Sequence, residues 1–157
     1  NFYIRAAKKE NRDAVVKKVV ECAKAAALMT GSTLEVSNFE EAYDNLRTNK
    51  VLSDLFNTNL ISLGEKEILK GDNSTGSIDM GNVSGVVPAI HPWLGLGDRK
   101  LVLHTREFAE RTMSEQGKEA VYKGASAMAM TAFDVITSEE IQKKIRKEFE
   151  ENGNVYL

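Results

Sequence analysis

The sequence predicts an α/β fold. Three observations point there: long stretches in which apolar residues recur every three or four positions, short β-favouring runs between them, and capping residues or glycines at most junctions. Residues 1–6 read as a strand, because Phe2, Tyr3 and Ile4 favour extended backbone and Arg5 falls on the alternate face. Residues 8–30 read as one long helix. Val15, Val16, Val19, Val20, Ala23, Ala26 and Ala27 recur at helical spacing, with Lys17, Lys18, Glu21 and Lys24 opposite. Gly31 follows as the residue best able to take a left-handed cap. Thr33, Leu34, Glu35 and Val36 alternate and predict a second strand. Two strands and one helix are too little to stand alone, so this unit needs further structure to pair with.

Residues 37–47 are polar and mark the expected boundary between a first segment, 1–37, and a second, 38–157. Thr48 is the expected cap of a helix with Leu52, Leu55, Phe56, Leu60 and Leu63 on one face, stopped by Gly64. Residues 71–85 spread Gly71, Gly76, Gly81 and Gly85 among Ser, Asn and Asp and predict a loop. Residues 86–90 predict a short strand, with Pro88 suited to an edge or an end, and residues 100–104 predict another. Residues 114–136 predict a helix whose small residues suit close packing on a sheet. Thr137, Ser138, Glu139 and Glu140 then form a capping box before a last helix with Ile141, Ile145 and Phe149 on its apolar face.

Composition excludes several classes. Of 157 residues, 42% are hydrophobic and 28% charged, which is globular rather than disordered. Lys and Arg total 21 against 23 Asp and Glu, a balance that argues against a nucleic-acid binder and a polybasic membrane anchor. No apolar run reaches the roughly 18–20 residues of a membrane span. The single cysteine, Cys22, excludes an internal disulfide framework, fits a reducing cytoplasmic setting, and lies on an Ala-rich face as a small core residue. The chain opens at Asn1 without an initiator Met and is read as a piece of a longer protein.

The residues with chemical potential are few. His104 closes the apolar run 101–104, where a neutral imidazole is placed to ligate zinc at an α/β cleft; an ordinary surface histidine fits the same pattern, and one histidine cannot make a site of three or four ligands. His91, in Ile90-His91-Pro92-Trp93, has the same two readings. The glycine-rich loop exposes backbone N–H groups beside Ser77 and Asp79, but it lacks the Gly-Lys-Ser/Thr ending of a phosphate loop, and turn chemistry explains it as well. Three Glu-Glu pairs, at 40–41, 139–140 and 150–151, read as solvated faces or linker rather than as a base. The residues alone therefore reach only an α/β chain with one candidate metal ligand.

Three stretches carry a resemblance. Residues 76–84 (Gly-Ser-Ile-Asp-Met-Gly-Asn-Val-Ser), then Val87-Pro88-Ala89-Ile90-His91-Pro92, then His104-Thr105-Arg106-Glu107-Phe108-Ala109-Glu110, are similar to the C-terminal portion of zinc-dependent amidohydrolases of the aminoacylase, carboxypeptidase G and p-aminobenzoyl-glutamate hydrolase superfamily. Residues 125–134 resemble its p-aminobenzoyl-glutamate hydrolase and β-alanyl-dipeptidase branch, and the likeness runs in order along nearly the whole chain. It implies the second half of a zinc-exopeptidase-like α/β catalytic domain over 38–157. Residues 1–37 would be the closing strand–helix–strand of an inserted lid through which such enzymes dimerise. It implies His104 as a metal ligand, with Gly76, Ser77, Asp79 and His91 contacting substrate or supporting the ligands. It implies two zinc ions per active site in the intact enzyme, with manganese or cobalt as alternatives. It also implies hydrolysis of an N-acyl amino acid, dipeptide or aryl-glutamate amide by a metal-activated water.

The family's His-x-Asp motif, its bridging Asp, its catalytic Glu-Glu pair and its lid histidine have no counterpart in this chain, and Ile78 replaces the usual Thr or Glu. No catalytic residue is therefore expected here, and the chain is expected to be inactive alone. The competing expectation is a non-catalytic interaction or dimerisation module whose open sheet edge pairs with another chain.

Overall fold

The computed structural model describes residues 1–69 and 77–153. Among them it contains six helices and no strand: α1 (Lys9–Thr30), α2 (Lys50–Ser62), α3 (Met80–Ser84), α4 (Arg106–Thr112), α5 (Glu115–Thr137) and α6 (Glu139–Gly153). The expected α/β fold is overturned. The segments 1–6, 33–36, 86–90 and 100–104 hold no ladder, and what remains is a single parallel bridge between Thr48 and Ala89. The physical reason is pairing. A strand exists only through a neighbour, and these segments find none among the described residues. Phe2, Tyr3, Val36, Val86 and Val102 accordingly stay exposed. The run 100–104 has a further obstacle: His104 adopts φ 65°, a left-handed conformation that ends an extended segment.

The chain divides into two compact units, Asn1–Arg47 with Gly71–Val86, and Thr48–Lys70 with Val87–Leu157. In the first, α1 begins one residue later than its spacing predicts and ends where expected, with Gly31 left-handed at φ 69° and its N–H on the Ala27 carbonyl. Val16, Val20, Ala23 and Ala27 form a half-buried stripe on α1, but no residue of this helix is fully buried. Cys22 is exposed, not the core residue its Ala-rich setting suggested.

In the second unit α2, α5 and α6 pack mutually and α4 packs on α5. Phe56, Leu60 and Ala127 are the buried centre, with Leu63, Ile90 and Leu94 against it. The helical periodicity was a sound guide here, but two of its caps move by one residue. Asn49, not Thr48, caps α2, its side chain accepting from the Leu52 N–H at 3.0 Å. Ser138, not Thr137, caps α6, its hydroxyl accepting from the Ile141 N–H at 3.3 Å. Thr137 instead donates to the Phe133 carbonyl. The start of α2 is also capped from another element: the Glu148 carboxylate of α6 accepts from the backbone N–H groups of Lys50 (2.7 Å) and Val51 (2.8 Å). A carboxylate at a helix N-terminus meets unpaired donors and the positive end of the helix dipole together.

Replacing Glu148 with Ala should therefore lower the stability of this unit by about 1–2 kcal/mol, and Glu148→Gln should recover part of the loss. Urea unfolding followed by far-UV circular dichroism measures both; an unchanged midpoint for Glu148→Ala would show that the second cap contributes nothing.

Candidate functional site

The residues expected at a site fall into both units. Gly76 lies outside the described residues. Ser77 and Asp79 belong to the first unit and His91 and His104 to the second.

In the first unit Asp79 is the N-cap residue of α3, though its side chain makes no cap hydrogen bond. What fixes this turn is the sequence directly after it. Gly81 is buried against the segment 42–47, and a Cβ there would stand 1.8 Å from the Asp44 carbonyl oxygen. Only glycine permits that approach. The Asn82 carboxamide accepts from the Asp44 N–H at 2.7 Å and donates to the Ala42 carbonyl at 3.1 Å. Ser84, fully buried, accepts from the Arg47 N–H and donates to the Gly81 carbonyl, both at 2.9 Å. These contacts pin the polypeptide that follows Ser77 and Asp79 to the 42–47 segment.

That segment is clamped in turn from α1. Lys9 pairs with the Asp44 carboxylate at 2.6 Å, and Arg12 reaches the same carboxylate at 3.3 Å while donating to the Tyr43 carbonyl at 2.6 Å. Partial burial alone would raise the Asp44 pKa, but the Lys9 and Arg12 cations outweigh it and hold the carboxyl below its ordinary value of 3.8. The Arg12 guanidinium is held above its ordinary value, first by its hydrogen bond to Asp13 and then by Asp44, against the opposing effect of desolvation. A cleft of about 310 Å³ opens over this knot, with Lys9, Asp44, Asn45, Gly81 and Asn82 in its wall.

In the second unit His104 is exposed and holds the left-handed φ noted above, the only non-glycine positive φ among the described residues. Thr105 builds the turn around it. The hydroxyl donates to the Val102 carbonyl at 2.7 Å and accepts from the Phe108 N–H at 3.2 Å, capping α4. Non-glycine residues held in this region are uncommon and concentrate at functional positions. An open cleft of about 630 Å³ takes its wall from both sides of His104, with Val102 before it and Thr105, Glu107, Glu110 and Arg111 after it. His91 is half-buried and meets the Trp93 ring edge-to-face at 5.6 Å.

Zinc does not fit these residues by themselves. Among the described residues no group of three or more His, Cys, Asp or Glu side chains converges as a metal site, and His104 brings one imidazole to a chemistry that needs three or four donors. The described residues position a single ligand-type histidine and do not close a site around it.

Sequence reasoning missed the anchors. Gly81, Asn82 and Ser84 lay inside the glycine-rich motif but read there as turn residues. Arg12 carried a usable signal, since it precedes Val16 and Val20 by one and two turns on the half-buried stripe of α1, an unusual place for a cation with no partner. Asp44 carried none, because its partners are 32 and 35 residues away.

A scan against protein-family profiles finds no match. Two curated proteins are similar in sequence. The Xaa-Arg dipeptidase of Mus musculus is 37% identical over 153 residues, covering 94% of this chain and 35% of that protein. The Xaa-Arg dipeptidase of Homo sapiens is 37% identical over 153 residues, covering 94% of this chain and 34% of its own length. The chain thus spans about a third of the length of the curated relatives it matches.

The depressed Asp44 pKa has a definite consequence for stability. A carboxylate whose folded pKa lies below its unfolded value stabilises the fold above the unfolded pKa, and loses that contribution as pH falls through the folded one. Stability of the first unit should therefore drop as pH falls below about 3.8, and Asp44→Asn should flatten that limb while lowering stability at pH 7. Hydrogen exchange of residues 42–47 across the acid range reads this, and an unchanged acid limb in Asp44→Asn would remove Asp44 from the account.

Proposed function

We propose that this chain is the C-terminal third of a metal-dependent dipeptidase and that it is inactive by itself. The observation that carries the reading is the 37% identity to Xaa-Arg dipeptidases over 153 residues. The substrate class is a dipeptide or related small amide, with a basic C-terminal residue the first to be tried because of the relatives' names.

On this reading His104 is the chain's contribution to a zinc ligand set whose other members come from polypeptide beyond these 157 residues. The strained turn at 102–105 supports that role, because a left-handed backbone held by the Thr105 hydroxyl fixes where the imidazole leaves the chain. Ser77 and Asp79 serve substrate contact from the turn that Gly81, Asn82 and Ser84 hold in place. His91, held edge-to-face against the Trp93 ring, serves substrate contact or ligand support. The Glu-Glu pairs take no part in the chemistry. Glu139 and Glu140 pair with Lys143 and Lys144 one turn on, as solvated helix residues do.

The purified chain should release no free arginine from Xaa-Arg dipeptides, with or without added zinc. A longer gene product containing these residues should release it, and His104→Ala in that protein should lower both its metal content and kcat, the latter by at least about 100-fold. Hydrolysis by the 157-residue chain alone would overturn the fragment reading. Intact metal content and turnover in His104→Ala would overturn the ligand assignment.

A further inference from the structure

The Arg12 guanidinium of α1 and the Asn82 carboxamide of α3 end on the same peptide group. Arg12 Nε and Nη2 both donate to Asp13 Oδ1, at 2.9 and 2.8 Å. That grip orients the planar fork and leaves Nη1 to reach another segment. Nη1 donates to the Tyr43 carbonyl at 2.6 Å and to Asp44 Oδ1 at 3.3 Å. The Asp44 N–H donates to the Asn82 carboxamide oxygen at 2.7 Å. The Tyr43 carbonyl and the Asp44 N–H belong to one peptide bond. It is planar and trans, so the two groups point in opposite directions. A peptide group bonded at both ends cannot rotate without breaking one of the bonds. The Arg12 side chain is 15% exposed, so water competes little for its end of this relay. At the other end, Asn82 and the buried Gly81 and Ser84 hold the turn that follows Ser77 and Asp79.

We propose that Arg12 is a positioning residue for substrate binding. By fixing the 43–44 peptide it fixes Asn82, and with Asn82 the turn that presents Ser77 and Asp79. Asp13 is the residue that aims it. What the turn does rests on the dipeptidase reading; how it is held rests on the hydrogen bonds. The device needs arginine. A lysine ammonium is a single point of charge and cannot grip Asp13 with one part of its head while holding the Tyr43 carbonyl with another in a fixed plane. Arg12 touches no substrate on this account, so its loss acts on affinity through the turn and leaves the chemical step alone.

In the longer gene product containing these residues, Arg12→Ala should raise KM for an Xaa-Arg dipeptide by at least about tenfold, with kcat within about twofold of the unsubstituted protein. Arg12→Lys should not restore KM. A merely structural loss behaves differently: it lowers the folded fraction, and so kcat, at unchanged KM. Lys24→Ala, which removes an exposed pair with Glu21 inside the same helix, should leave both constants unchanged. Asn82→Ala should also raise KM, and adding Arg12→Ala to it should have little further effect, because both cut one relay. Hydrogen exchange reads the same device without turnover: the amides of residues 80–84 should exchange faster in Arg12→Ala. No turnover in the unsubstituted protein overturns the dipeptidase reading and the role of Arg12 with it. Turnover with an unmoved KM in Arg12→Ala overturns the role of Arg12 alone. So do full recovery in Arg12→Lys, multiplying effects of Arg12→Ala and Asn82→Ala, and unchanged exchange at 80–84.

Discussion

The second unit depends on how the first turn of α2 is satisfied. Four residues there make contacts with two other parts of the chain, the segment at Ala89 and helix α6. Thr48 bridges Ala89, Asn49 donates to the Ile145 carbonyl, and the N–H groups of Lys50 and Val51 end on the Glu148 carboxylate. Asn49 is buried and uses both ends of its carboxamide, one on its own helix and one on α6. These donors would otherwise be lost at a helix end, and each would cost a few kcal/mol if buried unpaired. With α2 fixed at its start, Phe56 and Leu60 fall against Ala127, and Asn59 reaches Thr131 and Asp134 on α5. Polar contacts thus set the register that the small apolar core then fills.

The first unit rests on the same physics with a charge at its centre. No residue of α1 is fully buried, so hydrophobic burial contributes little to holding the 42–47 segment. Asp44 takes over that task. Its side chain gathers Lys9 and Arg12, its N–H reaches Asn82, and its carbonyl lies where only a glycine at 81 leaves room. The turn after Ser77 and Asp79 is therefore held by hydrogen bonds and one absent side chain rather than by a core. A candidate substrate loop so built is positioned yet close to the surface, as binding loops commonly are.

The helices were legible because their signals are local. Apolar spacing along α1, α2, α5 and α6, Gly31 past the end of α1, and Ser114 before α5 are all written within a few residues. The strands were misread for the opposite reason. Residues 1–6, 33–36 and 86–90 have β-favouring side chains, but propensity describes one segment and a sheet needs two. The candidate site divides in the same way. The segment around His104 stood out in the sequence, whereas its left-handed backbone and the Thr105 cap that enforces it required coordinates. The clamp on the 77–85 turn was invisible because Arg12, Asp44 and Asn82 lie far apart along the chain.

The role proposed for His104 is that of one ligand in a metal site completed by other polypeptide. The most direct measurement is zinc bound by the purified 157-residue chain, by isothermal titration calorimetry and elemental analysis after desalting. The expected result is no zinc retained at one ion per chain. One ion per chain held at micromolar affinity or tighter, and lost in His104→Ala, would contradict it and show that these residues close a metal site by themselves.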